Sequence, residues 1–484
     1  MAHPIRYFVL FIGAILIVTG SSVSSFTFAQ CRAPGGDCDG PPDSYVQCAA
    51  ASPQEQKNER KILDQLRKGV PAKLGTSSVI RGCFLRDILT KKRGIREAGI
   101  IIDGATITGP VDIRNQSVNL FVKLSNCVFQ DDFVIKRTHF LKGLSLEKSC
   151  FHRLDAEDAT IDFDLILDEA IFPDCPPYFK NAHIGVDLSL RGAKVSGPAD
   201  FTAAVIGGSF FADPAEDSNS STEFGGADFE GIKVGLDTGL RQARFDGKVN
   251  FSNADFNSLS IKDALFCGDV HFIGTRIHDF TLGKSPASRF KGANLKIEDM
   301  TFHYMSPEDW NELETFAEKS NSGVPQPGQD KSNSALFYAS LEDLFQKHGH
   351  SEDADNIYIA WKLRERRDLH GLRKLWSYVQ YKLVGYGRQK EWILVVSIPF
   401  VLVGLVVFDK RFMELKDRRD TEQYANRYCR FLYTLDLFIP IIQLGYVDRW
   451  TPSAIGSRIY KPFHILVGNL IVPIGLAAWV GIIK

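Results

Sequence analysis

Cysteines and a few isolated polar residues are the groups in this 484-residue chain whose type and spacing could carry chemistry. Four of the nine cysteines, Cys31, Cys38, Cys48 and Cys83, fall near the start, the first three among Gly, Pro and Asp with little apolar content. Bridges would give such a stretch the order that a core cannot, so these four are candidate disulfides in an oxidising compartment. Their spacing fits no common zinc pattern and no histidine lies among them, so no metal set is expected. Cys127 and Cys150 sit inside a periodic apolar pattern and read as small buried residues or thiols. His348 and His350 beside Glu352 and Asp353 read as a polar turn. Asp436 stands in the apolar stretch Phe431 to Val447 together with Gln443, and the two form a candidate intramembrane polar site, because a carboxylate is costly to ionise in hydrocarbon.

The motifs of catalysis are missing from this sequence. No Gly-rich nucleotide loop follows a strand, and there is neither haem-attachment nor iron–sulfur spacing. No nucleophile occupies a recognisable elbow. The expectation is a protein that is not an enzyme and takes no cofactor. The formal charge of −1 hides a split. Ile101 to Phe302 is biased towards Asp and Glu, and Asp353 to Lys484 towards Lys and Arg, as for two halves in different surroundings.

A repeat is the element that must position everything else. The unit is a large apolar residue, two variable residues, a small residue, one variable residue, then an apolar or aromatic one. Leu124-SNCV-Phe129, Ile135-KRTH-Phe140 and Leu146-EKSC-Phe151 follow one another at a spacing of eleven. Leu167-DEAI-Phe172, Leu190-RGAK-Val195, Phe251-SNAD-Phe256 and Ile261-KDAL-Phe266 continue it. This period fits neither a helix nor an uninterrupted strand, but it suits short strands broken by corners, with the small residue where the wall bends. Each coil buries little alone, so stacking makes the core and the ends need caps. Ser52, Pro53 and Glu55 announce a capped helix ending at Gly69. The insertion from Phe210 to Thr222 reads as a loop on one face.

Ala227-Asp228-Phe229, Ala254-Asp255-Phe256 and Ala293-Asn294-Leu295 resemble the pentapeptide-repeat β-helix proteins. The departure is an extra residue in every second unit, and the resemblance covers roughly two-fifths of the chain. It implies a fold that is mainly β: a pentapeptide-repeat-like β-solenoid, followed by a helical hairpin and two C-terminal transmembrane helices. With its basic helix and Leu435 to Pro440, the tail is similar to that of bacterial repeat proteins that go under the name of membrane-associated oxidoreductases, although nothing here supports redox chemistry.

Residues 1–29 read as a signal peptide, 30–97 as a cysteine-containing segment with its capping helix, and 98–303 as the solenoid. A short helix and linker (304–334) and a basic helical hairpin (335–390) lead to a membrane domain (391–484). Its spans are expected at 392–408 and 463–483, with an interfacial or re-entrant segment at 431–447. The aromatic and basic residues from Lys362 to Lys390 favour lipid headgroups over nucleic acid. The expected role is a membrane-anchored, non-catalytic scaffold that meets a protein partner at the cytoplasmic (inner) membrane, with the solenoid on the periplasmic or extracytoplasmic side. The alternative is a two-helix, channel-like protein, since Gln443-Leu444-Gly445-Tyr446-Val447-Asp448 faintly echoes a selectivity filter.

Overall fold

A computed structural model describes residues 50–480 apart from 92–94, 96–98, 217–219, 285–288, 291–293, 306–334, 390, 417–427, 440 and 442, and in it each repeat folds as a turn followed by a short strand. In Leu167–Phe172 the Ala170 N–H donates to the Leu167 carbonyl at 3.0 Å, and Glu169 between them takes φ +56°. The same bond runs from Ala193 to Leu190, Ala204 to Phe201, Ala254 to Phe251 and Ala264 to Ile261. Left-handed backbone recurs at Asn181, Ala203, Gln242, Asn253 and Asp263. A positive φ at the second central residue is the type II arrangement. The small residue closes the turn facing inward, and Ala170, Ala193, Ala204, Ala254 and Ala264 are fully buried.

Successive coils pair in parallel. Ile102 lies beside Leu124 and Val122 beside Leu144, each 22 residues on. Leu144 pairs with Leu165 at 21 residues, and Leu165 with Leu188 at 23. One coil is therefore two eleven-residue repeats, and about nine turns form the solenoid. The final apolar position stacks on itself from coil to coil: Phe129 on Phe151 at 4.7 Å between ring centroids, Phe151 on Phe172 at 5.2 Å, and Phe251 on Phe272 at 4.8 Å. Outward positions carry ion pairs between coils, such as Lys123 with Glu147 at 2.6 Å.

The chain divides into two units, Met1–Phe229 with Gly239–Lys248, and Glu230–Thr238 with Val249–Lys484. In the first, helix α1 (Pro53–Lys68) carries a capping box between Ser52 and Glu55, and Gly69 ends it at φ +74°. Helix α2 (Gly82–Lys91) buries Leu85, Ile88 and Leu89 against the first coil. The insertion after Phe210 is pinned, not free-standing: buried Asp213 meets Arg241 at 2.8 Å, and buried Thr222 donates to the Asp213 carbonyl at 2.7 Å.

In the second unit, α3 (Ala335–Lys347) packs on the strand Thr301–Met305, with Phe337 edge-on to Phe302, and α4 (Ser351–Glu365) lies along α3. There follow α5 (Gly371–Val384), α6 (Trp392–Val407), α7 (Arg430–Phe438), α8 (Tyr446–Arg449) and α9 (Ile455–Trp479). Two expectations need correction. The fold is 35% helix against 30% strand, not mainly β, because turns fill much of each coil and many strands are two residues long. The two expected spans become one: α9, with 25 residues, is long and apolar enough to cross a membrane, whereas α6 has 16. At 1.5 Å per residue α6 reaches about 24 Å, against roughly 30 Å of hydrocarbon. Gly385, Tyr386 and Gly387 all have positive φ and break the helix ahead of it, so α5 and α6 meet at a bend of 118°.

The C-terminal helices approach closely through glycine. A Cβ at Gly468 would meet the Phe438 carbonyl oxygen at 2.0 Å, and one at Gly475 would meet Ile393 Cδ1 at 2.9 Å. The two glycines stand seven residues apart, on one face of α9, in the manner of small residues between membrane helices. Their opposite faces are apolar and exposed, at Ile459, Phe463 and Leu466 of α9 and Leu394, Ile398 and Val406 of α6.

Phe151→Ala removes a fully buried ring stacked on both sides. It should cost about 3–5 kcal/mol, read as a lower urea midpoint by far-ultraviolet circular dichroism; an unchanged midpoint would rule out the aromatic stack as a main source of stability.

Candidate functional site

Asp436, near the end of α7, is held by backbone and not by other side chains. Its Oδ1 accepts from the Leu444 N–H at 2.8 Å, and its Oδ2 from the N–H groups of Tyr446 at 2.8 Å and Val447 at 3.0 Å. Gly445 supplies the turn at φ +74°, and α8 begins directly after it. Three amide donors hold the carboxylate as an acceptor. The arrangement fastens the 443–447 turn to α7. Gln443 lies exposed at the start of this turn. The stretch from Gln443 to Asp448 thus forms a left-handed glycine and a short helix with its amides turned to a carboxylate. An ion filter would need a line of carbonyls turned to an axis.

The same helices bury a histidine that the sequence reading missed. His464 is fully buried, with Nε2 3.2 Å from the Thr434 carbonyl oxygen and Nδ1 3.3 Å from Tyr460 Oη. The rings of Phe408 and Phe438 flank it. Gly404 makes room, since a Cβ there would meet His464 Cε1 at 3.1 Å and Thr434 Cγ2 at 2.4 Å. The imidazole bridges α9 to α7 across α6. The Tyr433 hydroxyl, also buried, finds no hydrogen-bond partner among the described residues. His464 was hidden because it falls within an apolar run, where a single polar letter scarcely alters the hydropathy.

In the solenoid, charge is buried after the register shift between Phe129 and Asp132. Arg153 lies over the Tyr178 ring at 5.1 Å, with Asp155 at 3.9 Å. Burial pushes the Asp132 carboxyl above its ordinary value, opposed by the positive charge of Arg153. These groups form a charge network with no nucleophile poised beside a base. Among the described residues no three His, Cys, Asp or Glu side chains gather where they could hold a metal ion. His350 Nδ1 lies 3.3 Å from Asp353, and His348 Nδ1 2.9 Å from the Leu344 carbonyl oxygen, both at the α3–α4 turn.

Cys31, Cys38 and Cys48 lie outside the described residues. Cys83 is disulfide-bonded, and so is Cys175, which the sequence reading passed over. They are not bonded to each other. Ile80 pairs with Ile107, Ile107 with Phe129, and Phe129 with Phe151, below the coil of Phe172. Cys83 follows Ile80 in α2 against the first coil, and Cys175 follows Phe172. Four steps of about 4.8 Å separate their coils, beyond the roughly 4–7 Å that one bridge spans between Cα atoms. Cys127, Cys150, Cys267 and Cys429 are thiols. Burial pushes the Cys127 thiol up to about 12, so it is inert near neutral pH.

No protein-family model matches this chain, and no curated protein and no solved structure matches it.

Peptide mapping without reduction should recover Cys83 and Cys175 in two separate bridges; a peptide joining Cys83 to Cys175 would refute the coil geometry. Asp436→Ala should free the 443–447 turn and speed its cleavage in limited proteolysis by at least about tenfold, as expected when three charge-assisted bonds are lost. Unchanged cleavage would mean that the turn holds without the carboxylate.

Proposed function

We propose that this chain is a membrane-anchored, non-catalytic scaffold whose solenoid meets a protein partner outside the cytoplasmic membrane. The observation that carries the reading is an outward apolar ridge. Phe163 and Val186 occupy the same position in two successive coils, two residues past the paired strands Thr160–Ile161 and His183–Ile184, and Leu141 lies at this corner of the coil before, one residue past His139–Phe140. Leu141, Phe163 and Val186 are 40%, 52% and 39% exposed. The interior is filled by side chains, so these residues are not needed by the core. A rigid row of apolar groups at coil spacing is suited to a protein surface.

Anchoring is supported by α9, in which only 33% of the apolar window is buried, and by the exposed apolar face of α6. The core helix of a soluble protein would hide such residues. Placement in an oxidising compartment is supported by the bridges at Cys83 and Cys175, since structural disulfides persist there.

A photoreactive residue at Phe163 in living cells should yield one discrete protein adduct, lost on adding Leu141→Asp and Val186→Asp. The membrane pellet should retain the full chain through alkaline carbonate and release a chain ending at residue 454. No adduct at any ridge position would sink the scaffold reading, and carbonate release of the full chain would sink the anchor.

A further inference from the structure

Where α4 turns into α5, basic and aromatic side chains close around a cleft of about 270 Å3. Lys362, Arg366 and Arg373 line it with Trp376 and Tyr386, and Glu365 is the acid at its edge. Glu365 is already paired with Lys362 at 2.9 Å. The remaining two guanidinium groups leave the cleft positive.

Arg366 is held in place by rings. Its guanidinium lies 5.6 Å from the centre of the Tyr378 ring and 5.3 Å from that of Tyr381. Its Nη1 is buried and finds no hydrogen-bond partner among the described residues. A guanidinium held by rings and not by a carboxylate keeps its charge for a phosphate or carboxylate oxygen. The first turn of α5 adds to the field. It contains Arg373 and no acidic residue, and no side chain caps its free N–H groups. A 14-residue helix with an uncompensated N-terminus attracts anions.

The cleft opens onto an apolar stripe. Leu372, Leu375 and Trp376 follow one face of α5, and all three are exposed, Leu372 at 84%. Trp376 belongs both to the stripe and to the cleft wall. Apolar groups in line with a phosphate-sized basic pocket match an amphiphile, with acyl chain along the stripe and headgroup in the cleft. Beyond the 118° bend α6 begins, its own apolar residues exposed.

We infer that this cleft is a binding site for the phosphate headgroup of an anionic phospholipid, with Arg366 and Arg373 as its ligands and Trp376 beneath the glycerol. The inference rests on the membrane-anchor reading and adds to it a specific headgroup. A soluble phosphate shares the headgroup chemistry but has nothing to place on Leu372 and Leu375. The site therefore takes lipid and not the free anion.

The test titrates the full-length chain, in a zwitterionic detergent, with dioctanoyl-phosphatidylglycerol, with dioctanoyl-phosphatidylcholine and with inorganic phosphate, following tryptophan emission. Phosphatidylglycerol should saturate at a concentration at least about tenfold below that of the other two. Arg366→Gln with Arg373→Gln should weaken it by about tenfold or more, for two lost charge-assisted contacts. Arg367→Gln with Lys374→Gln, an equal charge change at exposed neighbours, should leave it unaltered. Equal binding of the two lipids would overturn the site, and this comparison needs no variant. An equal loss in both double variants would reduce it to general attraction to basic residues. Phosphate binding as tight as the lipid would assign the cleft to a soluble anion. Flotation of the same variants with phosphatidylcholine vesicles separates this from the anchor: a chain that floats but shows no lipid preference loses the headgroup site alone.

Discussion

The structure depends on one hydrogen bond repeated along the chain, from the N–H of a small residue to the carbonyl three positions before it. This bond closes the turn, forces the intervening residue into the left-handed region and sends the following strand along the next wall. Because the turn takes a fixed number of residues, its recurrence every eleven puts each aromatic residue above its counterpart one coil below. Core, ladder register and outward face all follow. Residues such as Arg137, Lys148 and Glu169 accept the left-handed backbone without glycine's freedom, at a cost of roughly 1–2 kcal/mol each, which the stacked interior offsets.

That dependence explains what could be read from the letters. The small residue and the aromatic one cannot be exchanged without breaking the turn or the stack, so Leu167-DEAI-Phe172 announces its own geometry. The capping box at Ser52 and Glu55 is local chemistry and equally legible. Register shifts and breaks are not. The buried charges around Arg153 follow from one extra residue between Phe129 and Asp132, and nothing in the identities of the residues there marks the shift. Cys175 stands in Phe172-Pro173-Asp174-Cys175-Pro176-Pro177, where the repeat is interrupted and its rules lapse. The number of membrane-length helices differs for another reason: the run expected at 392–408 does form a helix, Trp392–Val407, but its 16 residues fall short of a span.

At the C-terminal end, polar groups hold helices together. Asp436 fastens a turn, His464 links α9 to α7, and glycines set the spacing. Apolar faces are exposed outside, and inside the glycine and polar contacts sit among apolar clusters such as Ile393, Phe438, Ile471 and Ile474. In the second unit a helical pair packs on the strand Thr301–Met305, and α9 is long and apolar enough to cross a membrane.

The central claim, a solenoid displayed outside the cytoplasmic membrane, is tested most directly by thiol labelling. Glu216, with an 83% exposed side chain on the insertion loop, is replaced by cysteine and treated with a membrane-impermeant maleimide in cells whose outer barrier alone has been opened. The account predicts labelling before lysis, above that of the chain with native cysteines only; labelling that appears only after lysis would place the solenoid in the cytoplasm and contradict it.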